Sequence, residues 1–339
     1  MGKPSNHVNY DKDFETFVTG EVGNMCNNRS EKDRCVLSDA IDVNEVQEVC
    51  KNLKTGKAQD RRGLSYEHFK YAGRNVFLIL TMLFNSIICS EVLPKDFTRS
   101  ITIPLFKGGK KDPLDKDDYR GITIQSVICK SFDTIIMNRS FNLIREKFAI
   151  CHSQFACHKG LSSVNASLTL QESVSHLVQK GENVYATFFD TRKAFDTVWI
   201  DGLFYVLYQK GIRGKLWRLL KYAYLNSITS VLINGNFSEW FRLLQGVKQG
   251  AVLSMLLYIC FINLLITEVL STGIGCEVLS MSMGCIGYAD DIVFLTTNQL
   301  AMQELINLAF DSSCRWRYEF NVKKCASLTF GTPCEQETL

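Results

Sequence analysis

The stretch Gly287-Tyr288-Ala289-Asp290-Asp291-Ile292-Val293-Phe294 constrains this chain more than any other. Gly284-Cys285-Ile286 leads into it, and Ile292-Val293-Phe294-Leu295 leaves it as an uncharged, β-branched and aromatic run. It reads as two strands around a tight turn with two acids at the tip. Adjacent carboxylates between apolar strands resist joint ionisation. A divalent cation that takes hard oxygen ligands, Mg2+ or Mn2+, would neutralise them. An ordinary solvated Asp-Asp turn fits the same residues, since turns favour Asp anyway. A second stretch weighs against that simpler reading. Val184-Tyr185-Ala186-Thr187-Phe188-Phe189-Asp190 is another apolar strand closed by an acid. With Asp190 beside the hairpin tip, Asp190, Asp290 and Asp291 can hold two metal ions, about 3.5–4 Å apart in enzymes that transfer phosphoryl groups.

With 339 residues, 46% of them hydrophobic, the chain can bury a sizeable core in one or two domains. A formal net charge of +3 provides no global field for a polyanion, so any basic surface has to be local. Thirteen cysteines at irregular spacing argue against a secreted disulfide framework. Reduced thiols in an intracellular protein, nuclear or cytoplasmic, are expected instead. Cys151-His152 and Cys157-His158 lack the short spacing usual in a closed four-donor zinc site. The first residues lack the apolar core of a signal peptide. Residues 251–266 are uncharged and approach the roughly 20 residues of a membrane span. Ser254 and Asn263 interrupt them, which favours a helix buried behind a sheet.

Residues 1–40 are polar and aperiodic and read as a weakly ordered leader. From Ser38-Asp39 onward, Ile41, Val43, Val46, Val49 and Leu53 predict one face of a helix. Further helices from Leu64 and over 76–92 complete an N-terminal helical extension, 41–93. Arg99 to Lys107 reads as a strand running into a basic loop, with the return strand beginning at Asp117-Asp118-Tyr119-Arg120. Cations at such a tip can grip a triphosphate, arginine in bidentate fashion. A solvated loop fits too, because Asp112, Asp115, Asp117 and Asp118 nearly cancel the charge of Lys107, Lys110, Lys111 and Arg120. Helices are predicted over 127–148, 167–180, 200–210, 215–224 and 299–317. Asn234-Gly235 predicts a two-residue hairpin turn, and 326–330 a closing strand.

Three blocks together resemble the successive motifs of reverse transcriptases, most nearly those of non-LTR, LINE-type, jockey-like retrotransposons. They are Asp190 with Ala194-Phe195-Asp196, then Gly246-Val247-Lys248-Gln249-Gly250, then Tyr288-Ala289-Asp290-Asp291. The resemblance covers about 45–332. It implies an α+β right-hand polymerase core, with fingers at 94–186 and a palm at 187–339 whose antiparallel sheet is backed by helices. The reverse transcriptase domain would run from about 87 to 339. With nine residues after Phe330, the thumb is expected to be missing or truncated, and the endonuclease that normally precedes such a polymerase to be absent. The implied activity is RNA-directed DNA synthesis: a DNA primer is extended on an RNA template from deoxynucleoside triphosphates, with two Mg2+ or Mn2+ ions. Asp190, Asp290 and Asp291 would be catalytic and hold the metals. Lys107, Arg120, Phe195, Gln249, Gly250 and Lys324 would bind the nucleotide. Phe195 would exclude a 2′-hydroxyl, the group that distinguishes RNA from DNA at a site, and Lys324 would meet the pyrophosphate. Lys159, Gly160 and Tyr288 would touch template or primer. The chain departs from the family at Arg61-Arg62, where an acid is usual, at Cys157-His158 in place of Phe-Arg, and at Met255 in place of Pro. These departures leave open a catalytically inactive, nucleic-acid-binding remnant.

Overall fold

The computed structural model describes residues 9–27, 37–109, 111–158 and 160–331. Along the chain run α1 (Lys12–Asn27), α2 (Val43–Lys51), α3 (Tyr66–Lys70), α4 (Arg74–Ser90), α5 (Lys95–Thr98), β1 (Arg99–Phe106), β2 (Tyr119–Gln125) and α6 (Val127–Phe148). Then come α7 (Ser163–Gln179), β3 (Val184–Asp190), α8 (Ala194–Thr197), α9 (Ile200–Gln209), α10 (Gly214–Leu225), β4 (Ile228–Ile233), β5 (Asn236–Phe237) and β6 (Phe241–Arg242). The chain continues through α11 (Ser254–Ser271), β7 (Glu277–Val278), β8 (Met281–Ser282), β9 (Cys285–Tyr288), β10 (Asp291–Thr296), α12 (Gln299–Trp316) and β11 (Ala326–Phe330). Helices and sheets divide between two compact units. The expected truncation of a thumb concerns the chain beyond Gly331, outside the described residues.

The first unit comprises Phe17–Lys147 and Ile200–Leu257, together with Met1–Pro4, which lie outside the described residues. Its sheet is mixed: β1 pairs antiparallel with β2 and parallel with β4. Strand β4 turns back into β5 at Asn234-Gly235, whose φ angles of 50° and 81° suit the two-residue loop expected there. Helix α2 starts later than its apolar spacing suggested. Its cap is Asp42, whose carboxylate accepts from the Asn44 N–H, rather than Ser38 or Asp39. The acid missing at Arg61-Arg62 is supplied by the preceding residue. Buried Asp60 accepts from the backbone N–H groups of Arg62, Leu64 and Val127, which ties this loop to the start of α6.

The second unit comprises Phe148–Trp199, Tyr258–Leu339 and the segment ending at Thr16. Its sheet is antiparallel throughout, in the order β11-β3-β10-β9. Phe189 of β3 packs on Phe294 and Phe320, with ring centroids 4.6 and 4.9 Å apart. Helix α7 and the sheet share a core of Ala166, Leu177, Val184, Ala186, Ile286, Val293 and Leu295. The leader expected at 1–40 differs from its composition-based reading: Lys12–Asn27 is helical. Phe14 packs edge-on against Trp199 and Trp316, and Glu15 pairs with buried Arg317, whose guanidinium lies 5.4 Å from the rings of Tyr10 and Trp199. Helix α11 is the one helix among the described residues long and apolar enough to cross a membrane, and 67% of it is buried. Its polar interruption is satisfied: Asn263 accepts from the Cys151 N–H and donates to the Phe148 carbonyl.

Candidate active site

Two strands bring their terminal acids side by side. Asp291, the first residue of β10, is the register partner of Asp190, the last residue of β3. Direct partners in an antiparallel pair have Cα atoms about 4.5–5.5 Å apart and side chains on one face. The other edge of β10 pairs Asp291 with Tyr288 of β9. Ala289 and Asp290 are therefore the whole of a two-residue loop. The closeness has an electrostatic cost. Partial burial, and then the charge of Asp190, push the Asp291 carboxyl above its ordinary value, against the opposing pull of Lys324.

Lys324 is the cation in this site. Its Nζ lies 3.1 Å from both carboxylate oxygens of Asp190. The backbone prepares the contact, because the Asn321 N–H donates to the Asp190 carbonyl at 2.7 Å and the Lys324 N–H to that of Asn321 at 2.8 Å. The expectation for Lys324 was a contact with pyrophosphate; the structure shows it closing an ion pair with Asp190.

The loop itself is strained and clamped. Ala289 has φ +56°, the left-handed region, at a position where such loops prefer glycine. That conformation costs an L-residue about 1–2 kcal/mol. Gln154, with no solvent exposure, accepts from the Ala289 N–H at 2.8 Å and donates to the Ala289 carbonyl at 3.2 Å. Sequence reasoning missed Gln154. A lone amide between Ser153 and Phe155 is a weak signal, and nothing short of coordinates links it to a turn 135 residues away. Asp290 also faces Tyr258 of α11. Burial, and then the charge of Asp290, push the Tyr258 phenol well above its ordinary value. Phe195 stacks on Tyr258 with centroids 4.9 Å apart, which puts the expected sugar-facing ring in the same unit as the acids.

The remaining expected nucleotide contacts belong to the first unit. Lys107 directly follows β1, is exposed, and donates to the Asp117 carbonyl at 2.5 Å. Arg120, the partner of Leu105 across the hairpin, is exposed and forms no ion pair among the described residues. Gln249 is half-buried, and its carbonyl accepts from the Thr123 N–H at 2.8 Å. Gly250 follows with φ +101°, and a Cβ there would stand 3.3 Å from the Thr123 carbonyl oxygen, so glycine is required. Lys110 and Lys159 lie outside the described residues; Gly160 is exposed with φ +84°.

The acids carry the donor chemistry expected of a metal site without a formed arrangement. Among the described residues, no three His, Cys, Asp or Glu side chains are gathered as a metal-binding group. The trio Asp190, Asp290 and Asp291 is thus not preset as a cage. Two hard carboxylates do face each other, and one already holds a cation through both oxygens. That donor set suits Mg2+ or Mn2+ once the ammonium yields. His152 and His158 stack 5.2 Å apart, and His158 Nε2 sits 3.1 Å from the Cys151 carbonyl.

An antiparallel sheet carrying paired acids at a hairpin tip is a candidate site for cation-assisted chemistry on phosphates. Residues 109–337 match the reverse transcriptase (RNA-dependent DNA polymerase) family, and the chain belongs to it. Its relatives are proteins of mobile elements. The chain is 28% identical over 300 residues to the RNA-directed DNA polymerase from mobile element jockey of Drosophila funebris, covering 86% of this chain and 32% of that protein. It is 27% identical over 229 residues to the probable RNA-directed DNA polymerase from transposon BS of Drosophila melanogaster, covering 65% of this chain and 24% of that protein. To the retrovirus-related Pol polyprotein from type-1 retrotransposable element R2 of Nasonia vitripennis it is 26% identical over 252 residues, covering 73% and 23%. The chain spans about a third or less of the length of these relatives.

Proposed function

We propose that this chain is the polymerase core of a non-LTR retrotransposon reverse transcriptase, acting inside the cell, in nucleus or cytoplasm. Residues 94–186 serve as fingers and 187–339 as palm. The observation that carries the reading is the register pairing of Asp190 with Asp291 beneath the Ala289-Asp290 loop. Divalent ions, when bound, would neutralise the phosphates and activate the primer 3′-hydroxyl for attack on the α-phosphorus. Asp190, Asp290 and Asp291 would hold those ions. The charge that Asp190 and Asp291 share is why the site draws cations at all. Lys324 balances Asp190 until it is displaced, and the freed ammonium can then meet the leaving pyrophosphate. Phe195, braced on Tyr258, presents a flat ring to the sugar and leaves no room for a 2′-hydroxyl. Lys107 and Arg120 supply phosphate contacts, and the Gln249-Gly250 turn approaches the base pair without a Cβ. Gly160, Tyr288 and Lys159 remain template or primer contacts. RNA template and DNA primer would be held mainly through phosphates and stacking.

Primer extension on an RNA template with Mg2+ and deoxynucleotides tests this, with Asp290→Asn as control. Extension by the wild type and a loss of at least about 100-fold in the variant, on the order of what removing a group that holds the transition-state charge costs, supports the reading. RNA binding without extension would leave the inactive remnant.

A further inference from the structure

We infer that Gln154 is the positioning residue that fixes where the Asp290 carboxylate points; the inference rests on the polymerase reading of the acids. Gln154 grips both sides of Ala289. Its Oε1 accepts from the Ala289 N–H, and its Nε2 donates to the Ala289 carbonyl. Those two groups belong to the peptide planes before and after the Ala289 α-carbon. Pinning both planes locks φ and ψ at the one residue of the loop that is strained. The second plane carries the nitrogen of Asp290, so its tilt sets the direction in which the Asp290 side chain leaves the loop. Without the amide, Ala289 can relax to negative φ, and that peptide rotates with it.

Gln154 is itself held rigidly. It pairs in a short parallel bridge with Gly287, whose N–H donates to the Ser153 carbonyl at 2.7 Å. Its Oε1 also accepts from the Ala156 N–H. Gly287 makes the approach possible: a Cβ there would lie 3.2 Å from Nε2 and 3.3 Å from Ile266 Cδ1. Only a neutral amide of this length both donates and accepts at the required span. A glutamate would keep the acceptor, lose the donor and add charge beside Asp290.

The test uses Gln154→Met, which preserves volume and removes both bonds, Gln154→Glu, and the double variant Gln154→Met with Ala289→Gly. Glycine populates positive φ freely, so it relieves the loop of its need for a clamp. Thermal unfolding establishes that each variant is folded. Mn2+ binding is followed by electron paramagnetic resonance, and kcat and KM for dTTP on poly(rA)·oligo(dT) by single-nucleotide kinetics. For Gln154→Met the expected result is a kcat lowered at least tenfold, KM within threefold, and Mn2+ bound several-fold more weakly. The Ala289→Gly change should restore at least threefold of the lost kcat. Gln154→Glu should lie between, and it carries the test if the Met variant does not fold. A kcat and Mn2+ affinity within twofold of wild type in either variant overturns the inference, as does a loss that the glycine leaves untouched. Should wild type extend no primer yet bind Mn2+ at the acids, the polymerase reading fails and the Mn2+ affinities alone decide on Gln154. Should it bind no Mn2+, both fall.

Discussion

Lys324 and Asp190 show at the scale of single residues how the site balances charge. An ammonium equidistant from two carboxylate oxygens competes directly with any ion seeking the same lone pairs. Lys324→Ala should therefore bind Mn2+ several-fold more tightly than wild type, because an exposed pair of this kind contributes roughly 1 kcal/mol or less; isothermal titration reads the change. Incorporation should nevertheless slow if the lysine serves the leaving group. Gly250 makes a separate prediction. With φ +101° and the Thr123 carbonyl 3.3 Å from a built Cβ, Gly250→Ala has nowhere to relax. It should lower stability by about 1–3 kcal/mol in denaturant titration, as strained backbone positions do.

The Asp-Asp hairpin is legible as an element because its strands are apolar and its turn is acidic, and both facts lie within ten residues. Its attachment to β3 follows from register: a slip of one residue would move every side chain of β10, buried on both faces, to the opposite side of the sheet. Phe294, fully buried and packed on Phe189, enforces that register. Phe294→Ala should cost about 3–5 kcal/mol and loosen the Asp190–Asp291 pairing, visible as faster amide exchange across β3 and β10. At its far end α12 stops at Arg317, left-handed at φ 62° and clamped between Glu15 and two aromatic rings. The helix over 12–27 was hidden by the polar composition around it: Val18, Val22 and Met25 recur at helical spacing and are buried, and Phe14 and Glu15 add the docking on Trp199, Trp316 and Arg317.

At the scale of the whole molecule, polar groups buried within the first unit set how stability depends on pH. Burial pushes the Asp133 carboxyl from 3.8 up to about 6, against the opposing charge of Lys248. The same burial lowers Lys248, which lines an apolar cavity of about 40 Å3 with Gln125 and Cys129. Since the folded value of Asp133 exceeds the unfolded one, the folded chain holds its proton between about pH 4 and 6. Stability from this group is full below that window, falls as pH rises through it, and levels off above. Asp133→Asn, permanently neutral, should lose that slope, so the wild-type-minus-variant difference in unfolding free energy should change by on the order of 2 kcal/mol from pH 4 to 7, measured by urea titration at each pH.

The sequence by itself determined the three acids, the strands that carry them, the Asn234-Gly235 hairpin and the family, because each is written in neighbouring residues whose spacing fixes the backbone locally. Only the tertiary structure decided what meets across the chain. Gln154 reached a turn 135 residues away, Lys324 closed on Asp190, and Asp60 tied its loop to the start of α6. The physical reason is common to all three. A hydrogen bond or ion pair between distant residues leaves no periodicity behind, and its partners are chosen by packing, which acts only once the sheet has brought them within about 3 Å of each other.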